Sequence, residues 1–252
     1  MLQKIGVPIL AILAFLLFWE GIVWVNGWPN YVMASPSDLP AAYARFWPLF
    51  IEMGWQTLWR TVAGLCIAVV VGTLLGMAMG FSRIARDALY PLLVGFNAVP
   101  KATLVPVISL LFIGQHDFNT VLMAFLISFF PIAVSVGIGL STLEPEYRDI
   151  LRALGASRVT IFRKIALPKT LPEFFGALKV AVTLAFIGTN LVEIVSPHGR
   201  GLGALFKSGE TNGDYPLMFA VLIALAVLGI VLYYIVVALE RIFAGWAERP
   251  TG

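Results

Sequence analysis

Asn97, Lys101, Lys179, Thr189, Asn190 and Glu193 stand inside runs of apolar residues, where an unpaired polar or charged group is costly. Lys101 and Glu193 carry opposite charges, so they can either line a route for a polar solute or pair with each other. Thr189, Asn190 and Glu193 fall at i, i+1 and i+4, which sets them on one helix face. Lys101 lies beside Pro100, one turn after Asn97. It either faces a pathway or pairs with a backbone carbonyl or a carboxylate. Lys179 is close enough to the end of its run to snorkel out of it.

Bond-breaking chemistry finds little support. A serine nucleophile inside a membrane needs a histidine on a facing span. Ser109, Ser128 and Ser135 lie in apolar runs, whereas the only histidines, His116 and His198, fall in separate loops without metal-ligand spacing. No G-x-x-x-x-G-K-[ST] occurs, so the chain has no phosphate-cradling loop of its own. The single cysteine, Cys66, excludes an internal disulfide and reads as a small apolar residue.

The elements that carry these residues are membrane spans. The chain has 252 residues, 60% hydrophobic and 12% charged, with a mean hydropathy of +0.91, which marks an integral membrane protein. Six segments are long enough to cross about 30 Å of hydrocarbon, near 5–25, 57–80, 88–113, 119–140, 172–195 and 215–239. The first reads as an uncleaved signal anchor, with Trp19, Trp24 and Trp28 at its outer interface. With the N-terminus inside, eleven Lys or Arg residues are cytoplasmic and four, Arg45, Arg60, Arg200 and Lys207, lie at or beyond the outer edge. That bias sets both termini in the cytoplasm and accounts for the net charge of +3 without invoking nucleic acid. The loops 26–56 and 196–214 are then extracytoplasmic, either meeting a soluble partner or simply connecting spans.

Gly64, Ala68, Gly72, Gly76 and Gly80 recur every fourth residue. They form a narrow ridge that admits another backbone, within the subunit or from a second copy. Pro91, Pro100 and Pro106 in the third span kink or break it, which membrane depth tolerates only beside protein or a watery cavity.

One polar segment stands apart, DILRALGASRVTIFRKIALP at 149–168, within a cytoplasmic loop 141–171. Tyr147, Ile150, Leu151 and Leu154 repeat as a short amphipathic helix. Gly155 suits its C-terminal cap. Ser157 suits the N-cap of a second helix, 158–167, which Pro168 is expected to end. The corner Leu154-Gly155-Ala156 is small enough to enter a groove on another protein. The alternative is a helix lying on lipid.

This segment resembles the cytoplasmic signature of binding-protein-dependent ABC importer permeases: Glu-Ala-Ala, three residues, Gly, nine residues, Ile-x-Leu-Pro. Gly155, Ile165, Leu167 and Pro168 match, while Asp149-Ile150-Leu151 replaces Glu-Ala-Ala. SPSD at 35–38, RTVAG at 60–64, VPKATLVP at 99–106, FFP at 129–131, GRGLG at 199–203 and Glu193 are similar to the branch serving nitrate, sulfonate and taurine uptake, and to thiamine-precursor and riboflavin permeases.

The resemblance implies an all-α integral membrane fold of the type I ABC importer permease, with six transmembrane helices in a single domain, in a bacterial inner membrane. It implies a homodimer with the pathway at its interface and alternating access for a small anionic or heterocyclic solute. Two cytoplasmic ATPase subunits would bind ATP and magnesium, leaving this chain a non-catalytic subunit with no cofactor. Each would take one coupling helix, centred on Ala153, Leu154, Gly155, Ala156 and Ser157. An extracytoplasmic solute-binding protein would meet the outer loops. A self-sufficient carrier would be expected to show an internal repeat; none is visible, and the 149–168 segment would have no role in it.

Overall fold

In the computed structural model, residues 2–141, 153, 155, 157–196 and 199–246 are described, and among them helices account for nearly all of the structure and no strand occurs. Helix α1 spans Leu2–Asn26, and a 3-10 turn, Pro36–Asp38, leads into α2, Leu39–Phe81. Then follow α3, Arg83–Ala98, α4, Lys101–Leu111, and α5, His116–Ser141. The second half holds α6, Arg158–Ile161, a π turn, Phe162–Ala166, α7, Leu167–Val195, α8, Leu202–Asn212, and α9, Tyr215–Ala244.

Helix α5 is the axis of the bundle, packed between α2 and α7. Its neighbours come close because their contact faces lack side chains. A Cβ at Gly72 would sit 2.8 Å from the Phe129 carbonyl oxygen, and one at Gly76 would sit 2.6 Å from Val136 Cβ. Gly64 meets Ala124 and Gly80 meets Leu140 in the same way, and Ala68 is fully buried. The ridge therefore faces α5 of its own chain. On the other side, a Cβ at Gly188 of α7 would lie 2.9 Å from the Met123 carbonyl oxygen. Backbone contact this close gains dispersion energy, which replaces the hydrophobic effect as the packing force in lipid.

Several boundaries differ from those the sequence suggests. The segment 26–56, expected as a loop, is largely helical, because α2 begins at Leu39. Pro40, Trp47 and Pro48 suggest a loop, but Pro40 sits in the first turn, where its missing N–H is harmless. At Phe46 the backbone leaves helical geometry two residues ahead of Pro48, whose ring clashes with the preceding helical turn. Among the described residues, four helical stretches are long and apolar enough to cross a membrane, Pro36–Phe81, His116–Ser141, Phe162–Val195 and Tyr215–Ala244.

The expected span 88–113 is instead two helices, α3 and α4, bent by 90°. Pro100 causes the break: it donates no N–H and holds Val99 in extended geometry (φ −66, ψ 128),. Pro91 and Pro106 stay inside helices. The first apolar helix, α1, packs Trp19 and Val23 against Leu217, Ala220 and Val221 of α9. Its Glu20 carboxylate accepts bonds from the N–H and hydroxyl of Ser37 at 3.0 and 2.8 Å. That contact ties α1 to the SPSD turn, whose Ser35 N–H bonds Asp38 at 3.3 Å.

The second expected loop, 196–214, contains α8. Pro168 does not end a helix. It falls in the first turn of α7, and the path continues from Arg158 through the π turn. Proline is tolerated at that position for the same reason as Pro40.

Gly76→Val is expected to lower the unfolding midpoint in detergent, consistent with overpacking at about 1–3 kcal/mol. Gly95→Val, at a position with open space around it, is expected to leave the midpoint near wild type. Equal midpoints would show that the ridge does not set the α2–α5 distance.

Candidate functional site

The most densely bonded polar group lies where α2, α5, α7 and α8 converge. Arg60 of α2 is 1% exposed, and all five of its guanidinium N–H groups have acceptors. Nε donates to Asp117 Oδ1 at 2.9 Å and one terminal nitrogen to the same oxygen at 2.6 Å. That nitrogen also donates to Gln56 Oε1 at 2.9 Å. The other donates to Glu193 Oε1 at 3.2 Å and to the Arg200 carbonyl. Charge counting places Arg60 at the outer edge of its span but does not reveal that it is buried.

Glu193, also 1% exposed, is in the last turn of α7, the negative end of that helix dipole, where a carboxylate is disfavoured. Its compensation comes from outside α7. Arg60 supplies a full charge, the Thr57 hydroxyl donates at 2.8 Å, and the Gly203 N–H donates at 3.1 Å. Thr57 in turn accepts from the Leu202 N–H at 2.8 Å. The first amides of α8 are thus capped by side chains of α2 and α7. Glycine makes this possible. A Cβ at Gly201, already at φ +123, would overlap the Glu193 carboxylate, and one at Gly203 would sit 2.8 Å from Glu193 Cβ.

The expected polar face of α7 is divided. Thr189 is buried and its hydroxyl lies 3.0 Å from that of Thr61. The Asn190 amide turns back to the Phe186 carbonyl at 2.8 Å, while Asn190 Oδ1 is buried without a protein partner. Lys101 does not pair with Glu193. Its ammonium donates to the Phe96 and Val99 carbonyls at 2.5 and 3.1 Å, over the Phe96 ring. It caps the end of α3 that Pro100 leaves open. Asn97 is exposed on the last turn of α3. Lys179 does not snorkel: it bonds both oxygens of Glu240 on α9, at 2.8 and 3.0 Å.

Asp149, Leu154 and Ala156, with the Tyr147–Leu154 pattern, lie outside the described residues. Ala153 is helical and exposed. Gly155 has φ +81 with nothing within 4 Å of a built Cβ, which is left-handed geometry at an open corner. The Ser157 hydroxyl accepts from the Thr160 N–H at 3.1 Å, an N-cap. Ile165 and Pro168 are half-buried and Leu167 is exposed. Among the described residues no three His, Cys, Asp or Glu side chains are grouped to hold a metal ion.

Sequence reasoning missed Arg60, Asp117, Gln56 and Thr57. The available signal was the spacing of Thr57, Arg60 and Thr61 at i, i+3 and i+4 in an apolar helix. Removing one partner of a buried pair costs about 3–5 kcal/mol, whereas replacing both by apolar groups costs much less. Arg60→Met and Glu193→Leu are each expected to lower the unfolding midpoint strongly, and the double variant by less than their sum. Strict additivity in that cycle would show that the two groups do not interact.

The arrangement ties helices together through buried polar contacts. The sequence profile of the binding-protein-dependent transport system inner membrane component family matches residues 68–244. The formylaminopyrimidine transport permease protein ThiX of Halalkalibacterium halodurans is 31% identical over 246 residues, covering 96% of each chain. The riboflavin transport system permease protein RibX of Chloroflexus aurantiacus is 31% identical over 248 residues, 96% of this chain and 90% of that one. A structure of the MetNI methionine ABC transporter in an inward facing conformation superposes at a TM-score of 0.64 with 19% identity, covering 78% of this chain and 96% of that one. At that identity the superposition speaks for the fold, which is that of an ABC importer permease. With the profile spanning most of its length and two relatives matching it nearly end to end, the chain belongs to the binding-protein-dependent ABC transporter permease family.

Proposed function

We propose that this chain is the membrane-spanning half of an ATP-driven importer that works as a homodimer. Two cytoplasmic ATPase subunits drive it, binding ATP and magnesium, and an extracytoplasmic binding protein delivers the solute. The observation that carries this reading is the exposed stretch marked by Ala153, Gly155 and Ser157. Gly155 turns the chain there in left-handed geometry, Ser157 starts the next helix, and that helix runs without a break in path into α7. A push on such a corner is delivered to a span that contacts α5 and α9 directly.

With the termini in the cytoplasm, as the Lys and Arg distribution supports, α8 and the Arg60 network lie at the extracytoplasmic end, where a binding protein would dock. The solute is small, and anionic or heterocyclic. The two relatives named for formylaminopyrimidine and riboflavin transport favour a nitrogen heterocycle. Asn190, whose carbonyl oxygen is buried without a protein partner, and Asn97 offer hydrogen bonds along the route; Lys101, Thr189 and Glu193 serve structure.

The test is ATP hydrolysis by the complex in lipid nanodiscs, with binding protein loaded from a panel of pyrimidines, flavins, sulfonates and nitrate. One loaded binding protein is expected to raise the rate severalfold. Gly155→Asp is expected to abolish that stimulation while leaving the amount of folded permease unchanged. Normal stimulation in this variant would remove the corner from the coupling surface, and failure of the chain to bind any ATPase would overturn the assignment.

A further inference from the structure

The π turn Phe162–Ala166 lies on the path from the corner to α7, and it adjoins a half-open apolar groove. The Leu167 N–H bonds the Phe162 carbonyl, five residues back. Such a turn holds roughly one residue more than an α turn and is rare outside functional positions. Little outside the turn fixes its winding. Arg163 and Lys164 are exposed, so no packing holds them in either winding.

The other side of the turn faces the bundle. Phe162 meets the Phe81 ring edge-on with centroids 5.5 Å apart, and Ala166 is buried with its carbonyl bonded by the Thr170 hydroxyl. Phe162 itself borders an apolar groove of about 170 Å³, half open to the surface, whose other walls include Thr73 and Met77 of α2, Val136 and Leu140 of α5, and Leu171 and Phe174 of α7. Because the groove is open on one side, an aromatic ring can enter it without displacing packed neighbours.

We propose that this π turn is a register switch. Rewinding it to α advances α6 against α7 by one residue, about 1.5 Å along the axis and about 100° around it. Phe162 then leaves the Phe81 ring and moves deeper into the groove, and the Gly155 corner moves with α6. Motion at the corner thereby reaches α2, α5 and α7 through one aromatic side chain with two seats. This rests on the corner being the ATPase docking point.

Two variants of the assembled complex in nanodiscs test it. Thr73→Leu grows into the groove, and deletion of Arg163 removes the extra residue of the wide turn. Both are expected to bind the ATPase and keep basal hydrolysis. Binding-protein-stimulated hydrolysis and uptake should fall at least tenfold. Thr73→Leu should melt near wild type, since the groove is open to the surface. Wild-type transport by either variant overturns the switch, because an inert groove or a passive bulge predicts that result.

Should a variant misfold, hydrogen exchange in the wild-type complex decides. The amides of residues 163–167 are expected to change exchange rate at least tenfold between nucleotide-free and nucleotide-trapped states, and unchanged rates overturn the proposal. If the wild-type chain binds no ATPase, the docking assignment fails first. Stimulated wild-type hydrolysis beside unaffected variants sinks the switch alone.

Discussion

A guanidinium 1% exposed, with every donor occupied, fixes the end of the bundle at which α2, α5, α7 and α8 meet. Its electrostatics close only as a set. Glu193 sits at the wrong end of its own helix for an anion, so it depends on Arg60 and on the N-terminal amides of α8. Asp117 is in the first turn of α5, where a carboxylate is favoured, and its side chain is 61% exposed. Water therefore screens the second carboxylate while Arg60 neutralises the first. The buried part of the network is an ion pair rather than a net charge, which is the condition for burying it at all.

This pair dictates the glycines around it. The carboxylate can reach the amides of α8 only if no side chain intervenes, hence Gly201 and Gly203 against Glu193. The same requirement recurs along α2 and α7, where Gly64, Gly72, Gly76 and Gly188 press backbone against α5. The bundle is thus closest where it has least side chain. Its ion pairs lie outside this seam, Arg60–Glu193 at one end and Lys179–Glu240 toward the other.

How much of this was legible in the sequence differs by the kind of signal. The ridge was readable because a four-residue spacing maps directly onto one helix face. The Gly155 corner and the Ser157 cap were readable because both depend on local backbone chemistry. The helices inside 26–56 and 196–214 were not. Their apolar residues face α9 and α7 in a mixed environment, and neither the proline-rich nor the glycine-rich composition reveals which backbone donors are already spare. The burial of Arg60 was not readable for a related reason: counting charges assigns a side, and burial at a four-helix junction depends on partners distant in sequence. Pro168 was read as a stop because proline breaks an α-helix, but a first-turn position makes it harmless.

Lys101 shows why an intramembrane charge is weak evidence for a pathway by itself. Pro100 breaks the span at 90° and strands the last carbonyls of α3 at membrane depth, where no solvent is available to bond them. An ammonium one residue beyond the break can reach back to those carbonyls, and it does so at Phe96 and Val99. It also meets the negative end of the α3 dipole, which favours a cation. The charge and the break therefore account for each other: proline creates the need, lysine meets it, and their adjacency at positions 100 and 101 follows. In the proposed homodimer, the exposed faces of α3 and α4 around Asn97 and Val107 carry few fixed charges, and a second copy of the chain packed there would line a pathway suited to letting a solute pass rather than holding it.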